Sequence, residues 1–129
     1  MIERINAPGL SQPSGYSHVV VASRSRLVTT AGAVPLDAEG NLVGAGDLLV
    51  QARQTLQNLA SALEAVGATE QDVIKITVYV VAGERADLGV VWGAVQESGI
   101  AGTASTLLGV SMLALEGQHV EIEAIAVLE

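Results

Sequence analysis

DLLVQARQTLQNLASALEAVGATEQDVIKITVYVV, residues 47–81, sets a helical period and a strand period back to back. In its first part Leu49, Ala52, Leu56, Leu59, Leu63 and Val66 recur at alternating spacings of three and four. That pattern lays one apolar stripe along a helix of about five turns. Asp47 stands where an N-cap carboxylate accepts from the first free amides, and Gly67 where a helix closes on a left-handed residue. Arg53, Gln54, Gln57, Ser61 and Glu64 form the polar face. From DVIKITVYVV onward the period drops to two, with Ile74, Ile76, Val78 and Val80 pointing one way and Lys75, Thr77, Tyr79 and Val81 the other. A striped helix followed at once by a one-sided strand predicts a helix packed on a sheet.

The flanking segments repeat the theme. GERADLGVVWGAVQES (83–98) reads as a second helix with Leu88, Val91, Trp92 and Val95 turned inward. Gly89 and Gly93, one turn apart, each cost ~1 kcal/mol against Ala; they mark either close packing on that side or a weaker helix. GTASTLLGVSML and HVEIEAIAVLE are two closing strands joined by ALEGQ. Upstream, MIERI forms a short first strand and NAPGLSQPSG a loop. YSHVVVAS and RLVTTAGAVPL are two strands joined by the turn Ser23–Arg26, and DAEGNLVGAG leads to the long helix. The order β-β-β-α-β-α-β-β over residues 1–129 describes a single α+β domain, with two helices on one face of a mixed sheet.

That arrangement leaves the other sheet face uncovered, with Tyr79, Val81, Ile125, Val127 and half of Val19–Val21 on it. A patch so apolar belongs in an interface, so the chain is expected to self-associate. Within HVEIEAIAVLE, Val120, Ile122, Ala124, Ala126 and Leu128 make a continuous apolar row. The opposite row places Glu121 and Glu123 beside Ile125 and Val127, with roughly 7 Å between the two carboxylates by strand rise. Glu123 reads as an ordinary rim carboxylate; Glu121 is the stronger candidate for chemistry.

Composition narrows the classes further. With no Phe and few aromatics, the core is aliphatic. A net charge of −8 with only six Lys and Arg opposes nucleic-acid binding, which needs a basic footprint. The absence of cysteine excludes disulfides and thiolate chemistry and suits a reducing compartment. No apolar run approaches the ~18 residues of a membrane span, and MIERINAPGL lacks a signal-type apolar region, so a cytoplasmic protein is expected. Two histidines far apart, without HExxH, give no metal site. No phosphate loop or nucleophile elbow is present.

Several stretches together resemble the Rid family of reactive intermediate deaminases (RidA-like, YjgF-type). They are NAPG, GYSHVV, LVTTAGAVPLDAEGNLVG, QARQTLQNLASALEAVGAT, DVIKITVYV and LLGV…VEIEAIAV, in family order along nearly the whole chain. The resemblance implies a chorismate-mutase-like fold assembled as a homotrimer, helices outside, with three intersubunit clefts. It implies hydrolysis of reactive enamines and imines, such as 2-aminoacrylate, to the 2-oxo acid and ammonia, with no metal or organic cofactor. In the family an Arg grips the substrate carboxylate and a Glu activates water.

Carried over by position, Glu121 matches the cleft glutamate, Tyr16 the lining tyrosine and Gly32 the backbone position that follows the RLVTT strand. The family arginine normally stands in PAR followed by Ser or Thr. Here the stretch is TAST, so Ser105 takes the arginine position and Thr103 the proline position. Gly89 takes the place of an asparagine. A Ser hydroxyl replaces neither the charge nor the fork of a guanidinium. The cleft, contacted by Tyr16, Ser105, Thr106 and Glu121, is therefore expected to suit a neutral or less anionic ligand, unless Arg24, Arg26 or Arg85 supplies a cation.

Bland readings stand beside these. Tyr16 is either cleft lining or an ordinary strand aromatic; Trp92 reads as helix core, and His18 and His119 as polar strand residues. Lys75 reads as an interfacial salt bridge rather than a Schiff-base lysine. Two functional classes stay open at this level: an enamine or imine hydrolase using Glu121, and a non-catalytic small-molecule-binding or regulatory member that kept the cleft.

Overall fold

A computed structural model describes all of residues 1–129. The elements are β1 (Ile2–Ile5), β2 (Val19–Ala22), β3 (Arg26–Thr29), α1 (Leu48–Glu64), a 3₁₀ turn (Glu70–Asp72), β4 (Val73–Val81), α2 (Arg85–Glu97), β5 (Ala104–Val110) and β6 (Val120–Leu128). The expected order is thus present. The strands do not form one sheet, however. β1 and β2 make an antiparallel pair of their own, and β3-β6-β4-β5 form the main sheet. The segment Ser23–Arg26 is consequently a corner between sheets rather than a hairpin. The main sheet is mixed: β4 and β5 run parallel through the α2 crossover, while β6 is antiparallel to both β3 and β4.

Both helices pack on one face of this sheet. Ile76, Val78 and Val80 of β4 and Val120, Ile122, Ala124 and Ala126 of β6 meet Ala52, Leu59 and Leu63 of α1 and Val91, Ala94 and Val95 of α2. At ~25 cal/mol per Å² of apolar area, this aliphatic cluster is the main favourable term in folding. Asp47 caps α1, its Oδ1 accepting from Val50 N at 3.1 Å, and Gly67 takes a φ of +77° just beyond the helix end.

The α1 stripe sits slightly off its predicted line. The buried residues are Gln51, Ala52, Thr55, Leu59 and Leu63, whereas Val66 is exposed and Leu49 and Leu56 are half-buried. The ridge at i, i+4, i+8 and i+12 faces the sheet and carries two polar residues inward. In β4, a one-residue bulge sets Val73 and Lys75 opposite the adjacent pair Ala126 and Ile125. Val73 is therefore the buried residue and Ile74, expected in the core, is only half-buried. Val127, expected bare, is buried.

The face away from the helices carries Leu27, Leu108 and Ile125 at 69, 41 and 37 % exposure. Thr29, Lys75, Thr77, Tyr79, Glu121 and Glu123 share it by register. No helix is long and apolar enough to cross a membrane.

Candidate functional site

Glu121 lies on the open face of β6, opposite Tyr79. Its surroundings are made by the loops on either side. Past Thr29 the chain leaves regular pairing. Thr30 N donates to Ala124 O and Ala33 N to Ile122 O, so three residues of advance match two on β6. The extra residue makes a bulge at Ala31–Gly32, whose amides donate to no other group of the chain. Gly32 faces the Glu121 carboxylate so closely that a Cβ there would overlap Oε2. Two open amides beside a carboxylate form a polar corner able to hold a water or a small polar group.

The other side of the corner is Gln118, a buried residue that sequence reading missed. Its Nε2 donates to Glu121 Oε1 at 3.1 Å and to Val120 O at 3.0 Å, while its Oε1 accepts from Leu115 N. Oε1 of Glu121 is thereby committed, and Oε2 is left toward the bulge.

Helix α1 fixes both flanks. Gln51 Nε2 donates to Gly44 O and Gly117 O, and its Oε1 accepts from His119 N at 2.8 Å. Asn58 Nδ2 donates to Val34 O at 2.7 Å and Leu36 O at 2.8 Å, just after the bulge. One signal for Gln51 was in the sequence: it lies in register with Thr55, Leu59 and Leu63 at successive steps of four, on the buried ridge. Asn58 and Gln118 carry no such periodic mark.

Two strands away, a second group assembles on the opposite face of the sheet. Ser17 N donates to Thr103 O, Ser17 Oγ to Gly102 O, and Gly102 N to Gly15 O. These bonds stitch the segment before β2 onto the entrance of β5 and bring Tyr16 over Ser105. Trp92 of α2 closes the space, its ring edge-to-face with Tyr16 at 6.4 Å between centroids. Ser14, Tyr16, Trp92, Ser105 and Leu107 line a cavity of about 290 Å³. Trp92 is thus half-buried cavity wall as well as core neighbour, with Nε1 donating to Ser14 O at 3.2 Å. Ser105 Oγ donates to Thr103 O at 3.0 Å. Thr103, at the position matched to a proline, is buried and donates to Val73 O.

The predicted residues therefore fall into two sets within one chain. Gly32 and Glu121 meet; Tyr16 and Ser105 meet; the two pairs lie on opposite faces. Thr106 joins neither: it points to the open face, where its Oγ1 accepts from Lys75 Nζ at 2.7 Å. Lys75 pairs with this hydroxyl instead of a carboxylate. Glu123 is also engaged, accepting from Tyr79 Oη at 2.6 Å. That hydrogen bond, with partial burial and the charges of Glu123 and Glu121, raises the Tyr79 phenol above its ordinary value.

The three arginines considered as substitutes are occupied or distant. Arg24 Nη1 donates to Asp72 Oδ1 at 2.6 Å and to Val127 O, and Arg26 Nε donates to Glu129 O. Arg85 opens α2 beside Gly109 and Ser111. None lines either set. A methyl group added at Gly89 or Gly93 would have nothing within 4 Å, so nothing in the chain packs closely against them.

A family described as endoribonuclease L-PSP matches residues 6–128. The chain belongs to the Rid family. Among solved relatives, the Rid-family protein YyfB of Yersinia pestis, of unknown function, superposes with a TM-score of 0.89 at 37 % identity, covering 98 % of both chains. Escherichia coli TdcF with bound serine superposes at 0.69 with 28 % identity, covering 100 % of this chain and 98 % of that one. Among curated relatives, a mouse 2-iminobutanoate/2-iminopropanoate deaminase is 31 % identical over 98 % of this chain and 90 % of its own length. A Salmonella typhimurium protein of the same name is 36 % identical over 58 % of this chain. That match spans 55 % of the Salmonella protein, and one to a RutC family protein of Pyrococcus horikoshii spans 56 % of its length, about half of each relative. The α+β fold is shared with the two solved relatives.

Proposed function

We propose that the protein is a small-molecule hydrolase of the Rid type, deaminating an enamine or imine in a cleft between subunits of a homotrimer. The observation that carries this reading is the division of the site. The Gly32–Glu121–Gln118 corner opens on a sheet face that one chain leaves uncovered, where Leu27, Leu108 and Ile125 stand exposed among Thr, Lys and Glu side chains, and the Tyr16–Ser105 pocket lies at the edge strand β5. Packing one subunit's open face against a neighbour's edge would bring a corner and a pocket together. The relatives named as imine deaminases support the reaction class. The acidic, cysteine-free composition is in keeping with a cytoplasmic setting.

In this mechanism Glu121 Oε2 accepts a proton from water as the oxygen adds to the C=N carbon. The Ala31 and Gly32 amides hold the adding oxygen or the substrate's polar end. The proton passes to nitrogen, giving a carbinolamine. Glu121 then takes the hydroxyl proton and passes it to nitrogen as the C–N bond breaks, yielding a carbonyl compound and ammonia. No oxidant, metal or electron transfer is required by this balance.

A non-catalytic binding protein is the second reading, favoured by the missing cation at Ser105. The two separate on one assay. Imine consumption is followed with enzymatically generated imines, and Glu121→Gln is compared with wild type. Hydrolysis above buffer that falls ~100-fold or more in Glu121→Gln, at unchanged melting temperature, establishes the hydrolase. Wild-type protein that accelerates no imine overturns it in favour of binding.

A further inference from the structure

We infer that the cleft selects imines that carry no carboxylate, their apolar substituent seated in the cavity of Ser14, Tyr16, Trp92, Ser105 and Leu107; this rests on the hydrolase reading above. Charge decides the point. The chain has six Lys and Arg side chains, and each is bonded elsewhere or lies away from the cavity; His18, edge-on to Tyr16, has its Nδ1 taken up by Ala7 N at 3.0 Å. Arg4 donates to Gln71 O and Val73 O, Arg24 is paired with Asp72, and Arg26 is bound to Glu129 O. Arg53 is exposed on α1, where it lines a surface hollow with Leu56, Ala94, Glu97 and Ser98 on the helix layer. Lys75 is bound to Thr106, and Arg85 lies seven residues before Trp92, about 10 Å along the helix axis.

What lines the pocket is neutral. Ser105 has already given its one hydroxyl proton to Thr103 O, so it turns only lone pairs toward a ligand. Lone pairs accept from an N–H or O–H and repel a carboxylate. Trp92 has likewise given its N–H to Ser14 O, leaving the indole and Leu107 as apolar walls. A net charge of −8 and the Glu121–Glu123 pair on the open face add a field that disfavours anions and favours a neutral imine or its protonated form. Burying a carboxylate here would leave it unpaired. An apolar substituent against Trp92 and Leu107 loses nothing.

A matched pair of substrates tests this. Phenylalanine with an amino-acid oxidase generates 2-imino-3-phenylpropanoate, and 2-phenylethylamine with a flavin amine oxidase generates the corresponding imine without the carboxylate. Both carry the same benzyl group, and semicarbazide traps what is not hydrolysed. The expected result is a wild-type kcat/KM at least tenfold higher for the uncharged imine. Ser105→Arg should move the ratio at least tenfold toward the imino acid, because a guanidinium restores a charged, forked donor. Trp92→Ala should lower kcat/KM for the uncharged imine through KM, a readout that stands even if Ser105→Arg fails to fold. Equal rates, or a wild-type preference for the imino acid, would overturn the inference while leaving the hydrolase reading intact. Hydrolysis of neither substrate would overturn both.

Discussion

Glu121 has one carboxylate oxygen committed to Gln118 and the other set against the backbone of Gly32. The glycine is required there by space rather than by dihedral angle, since an added Cβ would overlap the carboxylate. Gly32→Ala should therefore push the Glu121 side chain aside, lowering kcat on the order of 100-fold. The melting temperature should hold, because the displaced group is a flexible, half-buried side chain. Imine-hydrolysis kinetics beside a thermal melt would read both. Tyr79 gives a second prediction at this scale. Its phenol is raised above 10.0 chiefly by donating to Glu123, so the folded state favours the neutral form. The resulting stability is intact below the unfolded value of about 10 and is lost as pH rises through the folded value. Tyr79→Phe should be less stable than wild type at neutral pH and should flatten the alkaline fall in melting temperature. Family position singled out Glu121 and Gly32, which the fold brings together; it did not mark Gln118, which fills a three-way junction of loop, strand and carboxylate that no local pattern signals.

Helix α2 is the element whose sequence looked least suited to its structure. Gly89 and Gly93 interrupt it, yet neither has a neighbour that would meet a methyl group. Replacing both by Ala should raise stability by about 1 kcal/mol each, the difference in helix propensity, seen as a higher urea midpoint at unchanged slope. A loss of stability or of subunit association instead would place these glycines in a contact between chains. Helix α1 shows the converse. Its stripe was read from apolar residues alone and came out about one residue off, because Gln51 and Thr55 are buried with Leu59 and Leu63. Gln51 is tolerated inside because each amide group is satisfied: two carbonyls and one backbone N–H converge on it. The same logic explains β4, where a bulge moved Val73 rather than Ile74 into the core. Periodicity identifies an element and its sidedness; bulges and satisfied polar groups shift the phase by one.

At the scale of the whole molecule, the open sheet face is the feature without a partner. Leu27, Leu108 and Ile125 stay exposed there, around a field of Thr, Lys and Glu. If three chains bury these faces together, sedimentation equilibrium should give about three times the 13.2 kDa chain mass. Ile125→Glu, in the middle of the face, should shift the species toward the single chain and abolish hydrolysis. Far-UV circular dichroism should be retained, since the helix-side core does not include Ile125. A fully active single chain would show that each subunit completes its own site.

Read alone, the order of the residues was enough for the elements, the α+β class, the helix-facing rows Ile76–Val80 of β4 and Val120–Ala126 of β6, and the family. Those properties follow from local period and from motif order, which a chain carries before it folds. The tertiary structure decided the rest. It separated β1–β2 from the main sheet, placed Ser105 and Glu121 on opposite faces, and showed each Lys and Arg engaged or distant from both the Tyr16–Ser105 cavity and the Gly32–Glu121 corner. Such facts depend on which distant segments meet, and on hydrogen bonds made only when they do.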